Sequence, residues 1–446
     1  MQEHADRALI YRFCAAAPTL ALFWSMTALY IFGNHTWYAK ILSYYGITPL
    51  PVPFVDTEAV LSAWECSRLG FDVFIYNPCD VLWVVHSYSP LWLLAASIPL
   101  RPDDAVSVGW IIDLVFLLSF FFLPPGRRLR DAAVIGSATI STMVVFAVER
   151  ANADVIIFLL ALLTGLLALC RSSIRLICYG VGLFAGLLKY YPLSLLILAF
   201  RERVSTFVLV NIGVTTIIVM FLLRYFSDVR RSLSMLPVES YFTVSFASQN
   251  LPFGLVTTID QLSRGSLASS ASIYIGYGIY AVLLLGCITI SGLILERTTL
   301  RSTLPTLNGS EQIFLVVGAV LITGCFFTGQ NIGYRGVFLL FTLPGLLAVS
   351  CFADDRLTSR LALATSLLIV FIMWGEFFRT NLVRGLLAVD VPGRTALLMV
   401  RGFWLVRELV WWWIVSVCVS VLLHFVSASE VGRAVRPRVK GSAPTG

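Results

Sequence analysis

Long apolar blocks separated by short basic loops run through most of this 446-residue chain. Hydrophobic residues make up 58% of the sequence and charged residues 13%, about half the charged share of a soluble domain. A helix needs ~20 apolar residues to cross a hydrocarbon core of ~30 Å. The blocks that approach this length cover residues 13–33, 105–123, 132–148, 154–170, 204–223, 272–294, 312–328, 334–352, 360–378 and 409–427. The sequence therefore predicts an all-α integral membrane protein.

Two further segments decide the predicted topology. Residues 88–100 are too short to span and have prolines near both ends, which favours an interfacial or re-entrant helix. Residues 176–200 contain Lys189 and Pro192, and a single helix would bury this charge and be broken by the proline. We therefore expect two short arms with Lys189 at the turn. Lys and Arg then gather on one side, which predicts about twelve transmembrane elements with both termini cytoplasmic.

Under this topology the chain is a multi-pass protein of the inner membrane with its long first loop in the periplasm. Its predicted parts are an N-terminus and first span (1–33), a periplasmic catalytic loop with interfacial helices (34–104), spans with a hairpin at 176–200 (105–223), a periplasmic loop (224–271), spans (272–378), a periplasmic amphipathic segment (379–408), a last span (409–427) and a disordered cytoplasmic tail (428–446).

Charge and cysteine usage argue against some partners. The net charge of +7 does not indicate nucleic-acid binding, since the basic residues are scattered at the ends of apolar blocks. Four His and nine Cys show no zinc-site spacing, so no metal site or cofactor is predicted. A divalent metal held by Asp56 and Glu58 is an open alternative. Membrane lipids are the expected surroundings.

The polar stretch 34–100 departs from the pattern, because it carries charges of both signs, prolines and aromatics directly after the first span. Asp56 lies near its centre, where a carboxylate beside a lipid headgroup could take a proton from a sugar hydroxyl. The alternative is that Asp56 caps a helix over 57–69, since Asp is a favoured N-cap residue. Cys66 and Cys79 are expected to form a disulfide if the loop is periplasmic; two free thiols are the alternative.

Three cations sit at turns expected to face outward: Arg150, Lys189 and Arg335. Such cations could bind the phosphate of a lipid-linked donor and take up its developing charge. Snorkelling to membrane phosphates is the alternative for Lys189 and Arg335. Arg150 belongs to the polar turn 149–154, where the alternative is a surface pair of Arg150 with Glu149 or with Asp154 and an N-cap for the next span.

Several polar residues are candidates for binding the acceptor or the sugar. They are Glu58, His86, Tyr88, Asn152, Gln249, Gln330 and Asn331. An interfacial aromatic belt is the alternative for Tyr88. Asp113 lies within a span, where a carboxylate is a functional candidate unless a neighbouring helix satisfies it.

The order of these motifs resembles that of the polytopic C-superfamily glycosyltransferases, nearest the family 87 type of bacterial mannosyl- and arabinosyl-like transferases. The resemblance covers most of the chain up to about residue 350. The motifs are Phe-Val-Asp56-Thr-Glu58, Asp72-Val-Phe-Ile-Tyr-Asn77-Pro-Cys79-Asp80, Tyr88-Ser-Pro-Leu, Glu149-Arg-Ala-Asn152, Lys189-Tyr-Tyr-Pro192 and Tyr334-Arg335 ahead of Phe-Leu-Leu-Phe-Thr-Leu-Pro344. Ala151 stands where relatives tend to have Gly, and the cysteine pair is not a general feature of that family.

This resemblance implies a glycosyltransferase with Asp56 as general base. It implies a polyprenyl-phosphate sugar donor, a lipid- or glycan-linked acceptor hydroxyl, reaction on the outer face and inversion at the sugar carbon. The rival hypothesis is a polytopic transporter or lipid-linked sugar flippase without catalysis. Such proteins usually carry charges near the membrane midplane, whereas the charges here gather at one face. An assembly protein whose polar residues only pack loops is a second rival.

Overall fold

The structure is a computed structural model, and it describes residues 2–50, 52–235, 240–262 and 269–435. The described α-helices are α1 Gln2–Ile31, α2 His35–Tyr44, α3 Val55–Arg68, α4 Ala105–Ser119, α5 Leu129–Thr139, α6 Thr142–Arg150, α7 Ala153–Ala168, α8 Ser172–Arg175, α9 Ile177–Lys189, α10 Val204–Ser234, α11 Asn250–Leu262, α12 Ser269–Arg297, α13 Leu300–Thr303, α14 Gly309–Thr328, α15 Leu339–Phe352, α16 Arg356–Met373, α17 Gly375–Ala388, α18 Gly393–Ala428 and α19 Glu430–Val435. Short 3-10 helices cover Pro90–Ser97, Pro102–Asp104, Phe120–Phe122, Tyr191–Arg201, Leu304–Thr306 and Gly333–Phe338, and β1 Ser245–Phe246 pairs antiparallel with β2 Asn331–Ile332.

The all-α membrane class is confirmed, but the count of twelve spans is not. Within the described ranges, eight helices are long and apolar enough to cross a membrane. The bent pair α5 and α6, which meet at 41°, would make a ninth. The predicted span at 154–170 is the 16-residue α7, which covers only about 24 Å of a ~30 Å core.

The segment 176–200 breaks at the predicted turn. Helix α9 ends at Lys189, and a 3-10 helix runs from Tyr191 to Arg201 and packs back against α9. Between them Tyr190 has a φ of 60°, which reverses the chain. With 13 residues, α9 rises only about 20 Å, so the two arms form a short hairpin and not two full spans.

Hydrogen bonds attach the polar stretch 34–100 to the bundle at the start of α3 and again near its end. The Phe54 N–H donates to the Glu149 carbonyl (2.9 Å), and the Thr57 hydroxyl donates to the Ala151 carbonyl (2.8 Å). Further along, Trp92 Nε1 donates to the Leu188 carbonyl (3.2 Å). The start of α3 therefore lies against the α6–α7 turn, and the Pro90–Ser97 helix lies against the turn after α9.

A disulfide between Cys66 and Cys79 closes a small lobe beside α3. The Ser62 hydroxyl lies next to this link and donates to Glu58 Oε1 (2.6 Å) and to the Cys79 carbonyl (3.0 Å). Val73 and Phe74 pack with Cys66 in the core of the lobe. The disulfide thus joins the loop directly to the helix that carries Asp56.

The late segment 379–408 differs from the prediction of a separate surface helix. Helix α18 continues without a break from Gly393 to Ala428, so no boundary exists at residue 408. Arg407 is buried and pairs with Glu376 (2.7 Å) and Glu408 (2.8 Å). These carboxylates offset the charge that made the segment look interfacial. The predicted tail begins with α19, and residues 436–446 lie outside the described ranges.

The core and the periphery of the bundle are packed very differently. Helices α14 and α15 are buried along almost their whole length. In contrast, α10 buries only Phe221, Val229 and Ser232 of its 31 residues. Most of the α10 surface is therefore left to lipid.

We expect the Cys66→Ser, Cys79→Ser double variant to be less stable by ~3 kcal/mol, because closing a loop of this size restricts the unfolded chain. Thermal unfolding of the purified protein with and without reductant measures this loss. Cys170→Ser, which removes an exposed free thiol, is the matched control. Equal stability of the double variant and the control would contradict a stabilising role of the disulfide.

Candidate active site

Four turns of the chain meet at one end of the bundle. They are the start of α3 with Asp56, the α6–α7 turn with Asn152, the turn after α9 with Lys189, and the Gly333–Phe338 helix with Arg335. We call the side chains gathered there the Asp56 cluster. Its members are Asp56, Asn152, Asp154, Lys189, Tyr334 and Arg335.

Asn152 connects these turns. Its Nδ2 donates to Asp56 Oδ2 (2.5 Å) and to the Tyr334 hydroxyl oxygen (2.7 Å). Its Oδ1 accepts from Lys189 Nζ (3.1 Å) and from the Asp154 N–H (2.7 Å), which caps α7. A carboxylate on one side and an ammonium on the other fix the orientation of the amide. Asn152 is 1% exposed and fully engaged, so it positions Asp56 instead of offering free groups to a sugar.

Asp56 does not cap its helix. Helix α3 begins at Val55 after Phe54, and no side-chain hydrogen bond caps it. Asp56 is partly buried, and burial raises the pKa of its carboxyl, while the Asn152 hydrogen bond and the charges of Arg150 and Lys189 act to lower it. Among the described residues, none donates a hydrogen bond to its second oxygen, Oδ1. A carboxylate with a raised pKa and an unengaged oxygen is suited to accept a proton.

Two of the predicted phosphate-binding cations share one buried carboxylate. Asp154 Oδ2 lies 2.9 Å from Lys189 Nζ and 3.1 Å from Arg335 Nε. The Tyr191 hydroxyl donates to Asp154 Oδ1 (2.6 Å). The Lys189 and Arg335 side chains are 9% and 12% exposed, so they do not snorkel outward. Asp154, Lys189 and Arg335 together carry one net positive charge. From the sequence, Asp154 was expected to cap a helix or to pair with Arg150.

Arg150 is a third cation near Asp56. Its Nε lies 2.9 Å from Glu149 Oε2, and its guanidinium lies 5.2 Å from the centre of the Phe146 ring. Arg150 also acts electrostatically on Asp56. Of the two pairs considered from the sequence, the structure forms Glu149–Arg150 and not Asp154–Arg150.

Tyrosine side chains line the cluster, and a histidine packs behind them. The Tyr88 ring lies 5.2 Å from Lys189 Nζ, and the Tyr191 ring lies 4.8 Å from the Arg335 guanidinium. His86 is one layer behind, packed against the Tyr88 and Phe74 rings. His86 is buried, so its side chain is not open to a sugar acceptor. Burial also lowers its pKa to about 4, so the imidazole is neutral at pH 7.

The backbone of this site is strained at three points. Phe54, Ala151 and Tyr190 have positive φ angles, and each lies within two residues of Asp56, Asn152 or Lys189. Residues with side chains rarely adopt this conformation, and such outliers concentrate at functional sites. At Ala151 (φ 41°) a Gly would be relaxed, because it has no Cβ atom to oppose a positive φ.

An apolar groove of about 420 Å³ leads to the cluster between α1, α2, α4 and α6. Phe23, Trp110 and Val145 line it, as do Phe54 and Glu149. Phe54 precedes Asp56 by two residues, so the groove comes close to the cluster at this point. Exposed Ile31 and Ile111 lie at its rim, so the groove opens on the surface of membrane-spanning helices. Its walls suit a hydrocarbon chain.

Some predicted site residues point elsewhere. The Glu58 side chain accepts from Ser62 in the disulfide lobe, and residues two apart on a helix do not face each other, so Asp56 and Glu58 do not form a joint metal site. Gln249 is exposed. Gln330 donates to the Ser245 hydroxyl, and Asn331 donates to the Gly329 carbonyl, so both support the β1–β2 pairing.

Asp113 is fully buried in α4, and no described group makes a hydrogen bond to either of its oxygens. The alternative considered from the sequence, that a neighbouring helix satisfies this carboxylate, is therefore not met in the described part of the chain.

Comparison with protein-family models, curated proteins and solved structures finds no match to this chain.

Sequence reasoning missed Tyr334 as a partner of Asn152 and Tyr191 as a partner of Asp154. Both tyrosines adjoin residues that it did select, Arg335 and Lys189-Tyr190. An aromatic hydroxyl next to a turn cation was the available signal.

We expect Ala151→Gly to be neutral or to stabilise the protein by up to ~1 kcal/mol, and Ala151→Val to destabilise it by ~1–2 kcal/mol, because only Gly relaxes a positive φ. Thermal unfolding measures both. Ala161→Gly, inside α7, is the control and should cost ~1 kcal/mol. A loss for Ala151→Gly as large as for this control would contradict the assigned strain.

Proposed function

We propose that this chain is a membrane glycosyltransferase of the polytopic C-superfamily type. It moves a sugar from a polyprenyl-phosphate donor to a lipid- or glycan-linked acceptor hydroxyl, with inversion, at the periplasmic face of the inner membrane. The observation that carries the proposal is the Asp56 carboxylate, which has a raised pKa and is held by Asn152 beside Lys189.

The cluster supplies the groups that such a transfer needs. Asp56 takes the proton of the acceptor hydroxyl as its oxygen attacks the anomeric carbon of the sugar. The bond between that carbon and the phosphate oxygen breaks, and the electron pair leaves with the polyprenyl phosphate. Lys189 and Arg335 stabilise the charge that develops on the departing phosphate, together with Arg150.

Two further features support a lipid-linked donor on the outer face. The apolar groove is lined in part by Phe54 and Glu149, close to Asp56, and can take a hydrocarbon chain from the membrane side. Arginines such as Arg127, Arg175 and Arg201 lie at the ends of helices that lead away from the cluster. Under the positive-inside rule this arrangement supports a cytoplasmic position for these arginines and an outward position for Asp56.

We expect Asp56→Asn to reduce transfer by ~10²–10⁴-fold without loss of folded protein, because the amide cannot accept the proton but can still accept the Asn152 hydrogen bond. The measurement uses protein in nanodiscs with radiolabelled polyprenyl-phosphate mannose, arabinose or glucose and membrane lipid as acceptor. Glu65→Gln, on the same helix and paired only with Arg68 in the described residues, is the matched control.

Near-normal transfer by Asp56→Asn would refute Asp56 as base. Movement of the donor across proteoliposomes without any transferred sugar would favour the flippase instead.

Lys189→Met should weaken transfer while leaving Asp154 paired with Arg335. This variant therefore separates the stabilisation of the phosphate charge from proton transfer by Asp56.

We expect transfer to fall as the pH drops through the pKa of Asp56, with a midpoint above that of an ordinary aspartate, because only the ionised form accepts a proton. The folded state holds this proton more tightly than the unfolded chain, so Asp56 contributes a stability that declines as pH rises through its pKa. Rate–pH profiles and melting temperatures of wild type and Asp56→Asn measure both effects. An Asp56→Asn melting curve with the same pH dependence as wild type would contradict the raised pKa.

A further inference from the structure

A second cavity lies at the end of the bundle opposite to the Asp56 cluster. It has a volume of about 370 Å³ and is bounded by the end of the Tyr191–Arg201 helix, the start of α14, the end of α18 and α19. Helices α7, α14 and α18 run between the two ends, so this cavity is separate from the groove beside Asp56.

The mouth of this cavity carries cations without acidic partners. Arg201 donates to the Ala168 carbonyl (2.6 Å), and Arg433 donates to the Ser429 carbonyl (3.3 Å). Neither is within ion-pair distance of a described carboxylate. Other arginines at this end are neutralised, since Arg127 pairs with Glu311 and Arg175 with Glu202.

Other groups at the mouth complete the charge balance. Glu430 lines the same cavity, and Arg301 is close enough to act electrostatically on His424 of the lining. The lining thus holds two arginines, Arg201 and Arg433, and one carboxylate, Glu430. Gln312 and Ser429 add hydrogen-bonding groups.

The interior wall of the cavity is apolar. Its lining residues there are Phe200, Leu304, Ile313, Leu315, Val316, Val421 and Phe425. A free phosphate would leave this wall uncovered, and an uncharged lipid would leave the guanidinium groups unmatched. Basic pockets between membrane helices suit anionic lipid headgroups.

We infer that this cavity binds the phosphate headgroup of an anionic glycerophospholipid, with Arg201 and Arg433 on the phosphate and an acyl chain along the Val316–Val421 wall. The inference does not depend on the proposed transferase activity.

Native mass spectrometry of the full chain in detergent, titrated with phosphatidylglycerol or phosphatidylcholine, tests this site. Wild type should retain phosphatidylglycerol preferentially, and Arg201→Gln with Arg433→Gln should weaken that retention by about tenfold or more. Arg433→Lys should restore part of the loss relative to Arg433→Gln. Arg360→Gln, at an exposed arginine of α16 outside the cavity, should bind like wild type.

Equal retention of both lipids by wild type, or unchanged phosphatidylglycerol binding by the double variant, would overturn the site. If inorganic phosphate alone stabilises the protein as much as phosphatidylglycerol does, the cavity is a free-anion site, and the lipid site is also overturned. If the double variant is misfolded, Arg433→Gln alone decides the matter, because within the described residues that guanidinium donates a hydrogen bond only to the Ser429 carbonyl.

Discussion

The amide of Asn152 is the contact on which the site depends. It joins a carboxylate from α3, an ammonium from the α9 turn and a hydroxyl from the Gly333–Phe338 helix, and it also caps α7. Asp56, Lys189 and Tyr334 are 96, 37 and 182 residues away from Asn152 in the sequence. A buried polar network of this kind is stable only when every member is satisfied, so the geometry of Asp56 is determined by groups from three other parts of the chain.

Charge balance explains why such a site can lie in an apolar bundle. Asp56, Glu149 and Asp154 face Arg150, Lys189 and Arg335, so the carboxylates and cations are equal in number. Burying an unpaired charge would be prohibitive, whereas a matched set of hydrogen-bonded charges is tolerated. This pairing also keeps the Lys189 and Arg335 side chains in the interior. Without it, snorkelling would have drawn both side chains outward.

The fold class and the break at Lys189 were predictable because they follow from block length and from proline and charge positions. Asp56, Asn152, Lys189 and Arg335 were each selected from local patterns, but their convergence on one amide was not predictable from spacing alone. Asp154 was assigned to a cap because the sequence cannot show that Lys189 lies beside it. Arg407 was taken for a surface cation because its partner Glu376 is 31 residues away. Long-range pairing is thus what local reasoning lacks.

Helix α18 is 36 residues long, about 54 Å, and so outlasts the membrane core by many residues. Arg407 joins α18 to Glu376 of α17 and to the Thr243 carbonyl. In contrast, α10 buries only three of its 31 side chains. A sideways displacement of α10 would therefore expose little buried surface, whereas α18 can shift only together with α17, so the two flanks of the bundle should differ in how readily they yield to changes in the surrounding bilayer.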